Sequence, residues 1–429
     1  MTTPTTRQPA EVIAGAEERE SAEIFQPVTL GGHLQSYLAK IRGGDMGALP
    51  AVLGLVVLTI LFAVLRDRFL TAINFANLLT QAAEVTVIAM GLVFVLLLGE
   101  IDLAAGFTSG VAAATLATLL EGSGAVPWYV AILAALGVGL GIGLTQGFLV
   151  AKVGIPSFVV TLAGFLAWQG VVLVIVGEGG TIRINDDVVN AIANDNVAPW
   201  LGWTLLAALV AGYAAIAVRQ IRSRRARGLA ADPLSVILLR IAALAVGGAI
   251  FVSVLNRQRS LTVFASVRGV PIVVPVVLGL LVVGSFVLSR TTYGRHVYAT
   301  GGNTEAARRA GINVDLIRIS VFALGSLFAA IGGIIGASRL ASVSPQQGGG
   351  NTLLFAVGAA VIGGTSLFGG RGKLRDAVLG GLVIAVIANG MGLLQLSSGA
   401  QFVITGSVLL VAAGVDALSR RRGAQTGRR

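Results

Sequence analysis

The sequence predicts an all-α bundle of about 10–12 membrane-spanning segments with both termini on the cytoplasmic side. Three observations carry this expectation. Hydrophobic residues fill 55% of the 429 positions and charged residues only 12%, where a soluble domain needs roughly twice that charged share to cover its surface. The apolar residues stand in runs of about 18–25, the length that crosses some 30 Å of hydrocarbon as a helix. With the N-terminus placed inside, 22 of the 31 lysines and arginines fall on inside segments, seven outside and two in or at the edge of helices. That is the positive-inside bias, and it assigns the +11 net charge to topology rather than to nucleic acid.

Residues 1–47 are polar and read as a largely disordered cytoplasmic tail, with an amphipathic helix near His33–Ile41. They lack the short basic-plus-apolar pattern of a cleaved signal peptide. Twelve apolar segments follow at about 48–65, 77–99, 103–120, 127–150, 156–176, 200–218, 234–255, 270–289, 315–337, 353–369, 374–394 and 401–418. Together they make a transmembrane domain over 48–420, closed by a basic cytoplasmic tail at 421–429. The 58 glycines point to close helix packing, because small residues let backbones approach where no hydrophobic effect drives association. Gly139, Gly143 and Gly147 form one such stripe, flanked by Gly137 and Gly141.

Two polar stretches stand out, an outside loop at Gly177–Pro199 and an inside loop from Arg290 to Asp315. In the second, Gly301 and Gly302 break the preceding structure, and Asn303 or Thr304 can cap a helix start. Glu305 in the first turn and Arg308 and Arg309 in the last match the helix dipole, and Gly311 supplies the left-handed stop. A helix of about two turns is too short to stand alone in water, so the membrane surface or another protein must hold it.

The chemistry is otherwise sparse. Cysteine is absent, and His33 and His296 are too far apart in sequence to suggest a ligand pair. No G-x-x-x-x-G-K-[ST] phosphate loop occurs; Gly369-Gly370-Arg371-Gly372-Lys373 continues with Leu374. No triad or metal cluster is legible, so the chain reads as non-catalytic, with no cofactor or metal bound. Candidate path groups are the intramembrane polar residues, which are costly in hydrocarbon. Gln81 and Glu84 share one face of the second span, as path groups or as an interhelical hydrogen-bonded pair. Glu100 and Asp102 follow a break near Gly99, lining a wet cavity or capping the next helix. Thr161, Trp168 and Gln169 in the fifth span and Asn389 in the eleventh add donors, acceptors and an aromatic face. Trp168 equally suits an interfacial anchor.

GGNTEAARRAGINV (301–314) resembles the cytoplasmic coupling segment of permeases in bacterial sugar ABC importers of the ribose, galactoside and xylose type. AVIGGTSLFGGRG (360–372) and NLLTQAAEVTVIAMGLVFVLLLGEIDLAAG (77–106) extend the resemblance. IPSFVVTLAGFLAWQG (155–170), SRLASVSPQQG (338–348) and the extra apolar segment near 234–255 are similar to the xylose-type branch. The chain departs from the pattern at Thr352-Leu353-Leu354-Phe355, where the family carries an acidic Glu-Leu-Asp element. Glu100 stands where a glycine of Gly-Gly-Ile-Asp-Leu, the one before the isoleucine, is usual, as in the xylose branch.

The resemblance implies an inner-membrane permease importing a pentose such as xylose by alternating access. It implies a homodimer, a periplasmic sugar-binding protein, and two cytoplasmic ATP-binding subunits, which use the ATP and magnesium and receive Asn303–Arg309 in a groove. Another solute, such as a nucleoside or branched-chain amino acid, and proton-coupled transport through Glu84, Glu100 or Asp102 remain as rival readings.

Overall fold

The computed structural model describes residues 49–227, 233–260, 266–408, 410 and 414. The tail 1–47 with its helix near His33–Ile41, the basic tail 421–429 and the end of the segment at 401–418 lie outside the described residues.

The described residues are helical nearly throughout. In order run α1 (Leu49–Leu65), α2 (Ala72–Leu97), α3 (Ala105–Leu119), α4 (Trp128–Phe148, continued as a π turn over Leu149–Val153) and α5 (Ser157–Val176). Next come α6 (Asp187–Asn194), α7 (Pro199–Ala226), α8 (Leu234–Leu255), α9 (Val273–Arg290), α10 (Thr292–Gly302) and α11 (Thr304–Arg309). α12 (Val314–Leu340), α13 (Thr352–Gly363) and α14 (Leu374–Leu393) complete the named helices, and helix resumes over 398–408. Among the described residues, eight helices are long and apolar enough to cross a membrane: α2, α4, α5, α7, α8, α9, α12 and α14.

The apolar pattern misplaces some boundaries. α3 is 15 residues long and α13 only 12, and the latter rises about 18 Å, short of a full crossing. The apolar run at 353–369, which the sequence leaves open between a full crossing and a re-entrant segment, is therefore not one span. Gly364 adopts φ +118°, a left-handed turn that ends the helix and starts a loop to Lys373. Likewise Gly177–Pro199 is not all loop. It holds α6, capped where Asp186 Oδ1 accepts from Val189 N at 2.9 Å, and strand β1 (Ile182–Arg183), paired antiparallel with β2 (Ser342–Val343).

The described residues form two units, Trp200–Val254 and the remainder. In the first, α7 and α8 touch where Gly248 leaves room for Leu206.

In the second, α2 and α12 form the centre. From Ala82 to Leu98, α2 is buried at every position but Val85, and Phe94 meets Phe328 of α12 at 5.8 Å between ring centroids. The glycine stripe of α4 lies on α12: a Cβ at Gly143 would stand 2.5 Å from the carbonyl oxygen of Phe322, whereas Gly137 and Gly141 face open space. Two helices that touch backbone to backbone gain dispersion and lose little side-chain entropy, the main source of association in lipid. At one end of this unit gather Leu97–Asp102, the π turn, α10, α11 and the loop 364–373. At the other lie α6, the β1–β2 pair and Pro271.

Candidate coupling end and transport path

The inside loop folds into two helices, not one. Thr291 caps α10 by accepting from Gly294 N at 3.2 Å. Gly301 and Gly302, read from sequence as breakers, form its last turn, and the chain turns extended one residue later at Asn303 (φ −158°, ψ 101°). Between the two candidate caps, the structure uses Asn303, whose Oδ1 accepts from Ala306 N at 2.9 Å. Thr304 instead donates back to the carbonyl of Thr300 at 3.0 Å. Glu305 lies in the first turn of α11, Arg308 and Arg309 in the last, and Gly311 has φ +84°. Only Ala307 is buried in α11; Asn303, Glu305, Arg308 and Arg309 point outward, and Gly302 beside them is exposed. α11 is thus a pinned helix with a polar outer face.

What pins it is a backbone junction. A Cβ at Gly301 would fall on the carbonyl oxygen of Leu97, the last residue of α2. That same oxygen accepts from Gly370 N at 2.8 Å, and a Cβ at Gly370 would stand 3.4 Å from Gly302 Cα. Tyr298 donates its hydroxyl to the carbonyl of Gly372 at 2.7 Å. Burial first, and the Asp376 carboxylate second, push this phenol above its ordinary value. Tyr293 meets Ser320 at 3.0 Å, Arg318 pairs with Glu100 at 3.0 Å, and Lys152 with Asp315 at 2.8 Å. A displacement of α11 therefore pulls on α2, on the start of α12 and on the loop leading into α14.

The candidate path residues separate into two groups, roughly 20 Å apart by the rise of α2. Near α11, Gly99 has φ +74° and the chain breaks between α2 and α3. Glu100 goes to Arg318, not to a cavity. Asp102 is 2% exposed. Its Oδ1 caps Ala104 N at 2.9 Å, while Oδ2 has no hydrogen-bond partner among the described residues. α5 lies against the break: Ile101 N donates to Ser157 Oγ at 3.3 Å, and Thr161 donates to the carbonyls of Ser157 (2.9 Å) and Ile101 (3.1 Å). Further along the same stripe, Trp168 Nε1 is buried with no hydrogen-bond partner among the described residues. Gln169 is half-buried.

Sequence reasoning missed Gln146 of α4. Its amide is buried with neither atom partnered among the described residues, and it stands beside Trp168: a Cβ at Gly164 would lie 2.8 Å from Gln146 Nε2 and 3.2 Å from Trp168 Nε1. The available signal was a single amide in the second half of a glycine-rich apolar helix. Buried polar groups left unpaired cost free energy, which makes this pair of side chains a candidate polar site.

Towards the opposite end, Asn74 and Asn389 exchange hydrogen bonds at 2.8 and 3.0 Å, and Asn389 Nδ2 reaches Gln81 Oε1 at 3.4 Å. Glu84, read with Gln81 as a pair, goes elsewhere: its carboxylate lies against Gly336 and accepts from Gln347 at 3.5 Å. Gln81 lines an open cavity of about 310 Å³ together with Asn77, Thr80, Asn194, Arg259 and Arg339. Replacing Asn389 by Leu should cost about 1 kcal/mol, since Asn74 keeps only its bond to the Phe69 carbonyl. Thermal unfolding in detergent reads this, and Asn74→Leu/Asn389→Leu should recover most of the loss.

In the larger unit, membrane helices packed on a buried α2–α12 pair, with a capped polar helix locked to one end, define a polytopic membrane protein. The chain belongs to the family described as branched-chain amino acid transport system / permease component, whose model matches residues 74–413. It is similar to the xylose transport system permease protein of Haemophilus influenzae, 34% identical over 89% of this chain and 99% of that one. The corresponding Escherichia coli xylose protein is 36% identical, covering 82% and 87% of the two chains. The E. coli ribose import permease protein is 30% identical over 85% of this chain and 92% of its own. No solved structure matches the chain.

Proposed function

We propose that this chain is the membrane-spanning permease of an ATP-driven importer that moves a pentose, xylose foremost, across the bacterial inner membrane. The observation that carries the coupling is α11: a capped helix with exposed Asn303, Glu305, Arg308 and Arg309, seated through Gly301 on the end of α2. In this reading Gly301–Gly311 is the part gripped by the cytoplasmic ATP-binding subunits, which hold ATP and magnesium and perform the hydrolysis. The domain limits 48–420 and the coupling loop 290–315 follow, with both termini inside. The opposite end, including Gly177–Pro199, receives a periplasmic sugar-binding protein, and two copies of the permease assemble. Alternating access exposes first the group around Gln81, Glu84 and Asn389, then the group around Asp102, Gln146, Thr161 and Trp168, with the Glu100–Arg318 pair at the coupling-end edge of the second group and Gln169 beside it. The permease itself makes and breaks no covalent bond.

The sugar rests on the two xylose relatives being more similar than the ribose one. The description of the family favours a second reading, a branched-chain amino acid. Proteoliposomes holding permease, ATP-binding subunit and binding protein distinguish them. ATP-dependent uptake of labelled xylose, with little ribose or leucine, is the expected result. Leucine uptake selects the second reading. Uptake driven by a proton gradient with no ATP-binding subunit present overturns both.

A further inference from the structure

The loop between α13 and α14 carries an apolar feature that the coupling helix does not account for. Phe368 is 79% exposed and Leu367 40% exposed, in a short turn flanked by exposed Arg371 and Lys373. The turn is held from several sides. Phe368 N donates to Ser366 Oγ at 3.2 Å, Ser366 N to the Arg371 carbonyl at 2.9 Å, and Gly370 N to the Leu97 carbonyl at 2.8 Å. Gly369 and Gly370 sit against Gly301 and Gly302, the residues that lead into α11. A phenyl ring is thus presented on a fixed backbone whose glycines meet the residues leading into α11; Arg371 and Lys373 flank it in the same loop, and Glu305, Arg308 and Arg309 are exposed on α11. An apolar anchor with a charged rim is the anatomy of a protein–protein hot spot, and rigid presentation lowers the entropy of docking.

We propose that the loop 364–373 is a second coupling element, with Phe368 entering an apolar pocket with an acidic rim on the same ATP-binding subunit that receives α11. This rests on the coupling reading above. Because the loop continues directly into α14 while α11 leads into α12, one partner would then grip two helices of the bundle and could turn one against the other.

The test uses the full permease co-expressed with its ATP-binding subunit in native membranes, carrying p-benzoylphenylalanine in place of Phe368 or, as reference, of the exposed Ala306 of α11. Irradiation should give a permease–ATP-binding-subunit adduct from both positions. In addition, Phe368→Ala should weaken co-purification of the subunit roughly tenfold while Phe368→Leu retains most of it. An adduct at 306 with none at 368, or lipid adducts alone at 368, overturns the second element and leaves the coupling reading in place. Absence of the adduct at both positions overturns the coupling reading and this proposal with it.

Discussion

Gly301→Ala should destabilise the protein by about 2–3 kcal/mol, while Gly302→Ala, one residue on, stays within about 0.5 kcal/mol of the wild type. Both residues lie in the last turn of α10 and gain similar helix propensity from a methyl group. They differ in what the methyl meets: the Leu97 carbonyl oxygen at 301, and nothing within 4 Å at 302. The obstruction is backbone, so no rotamer change relieves it. α10 must lift off the end of α2, which also strains the Gly370–Leu97 hydrogen bond. Thermal unfolding in detergent, followed by tryptophan fluorescence, reads the pair. ATP-driven uptake should fall with Gly301→Ala and persist with Gly302→Ala. Equal stability of the two variants would show that the junction has room to give.

Arg308→Glu/Arg309→Glu should reduce the affinity for the ATP-binding subunit by about 100-fold or more, abolishing ATP-driven uptake. Both arginines are exposed at the end of α11, so the body of the fold does not depend on them. Reversal does place two carboxylates at the C-terminal end of a helix dipole, which costs a few tenths to 1 kcal/mol each. Arg308→Gln/Arg309→Gln removes the charge without that penalty, and roughly tenfold weaker binding is expected. Co-purification in mild detergent at two salt concentrations separates the cases, because a charged interface weakens with ionic strength. Undiminished co-purification of the Glu variant sinks the assignment of α11 as the coupling element.

Much of this was legible in the residues. Asn303, Glu305, the arginine pair and Gly311 encode the start, polarity and stop of α11 through purely local chemistry. What local chemistry lacks is a partner. Gly301-Gly302 reads as a break because isolated glycines weaken helices, yet in the fold they extend α10, since only a residue without a side chain can meet the Leu97 carbonyl. The residues leave open whether the apolar run at 353–369 crosses fully or re-enters, because hydropathy carries no sign of the left-handed turn at Gly364. Glu84 shares a helix face with Gln81, but its seat is made by Gly336 and Gln347, more than 250 residues away along the chain. Gln146 gives almost no signal by itself. It matters because α5 brings Trp168 beside it.

Composition and periodicity therefore determined the membrane, the helices and the capped segment Asn303–Gly311, because the solvent, the hydrogen-bond inventory and the dipole act on each stretch separately. The tertiary structure alone decided which carbonyl a glycine admits, which polar group a buried carboxylate meets and which ring is left facing outward. Those outcomes depend on close packing between distant segments, where a single Cβ decides between contact and collision.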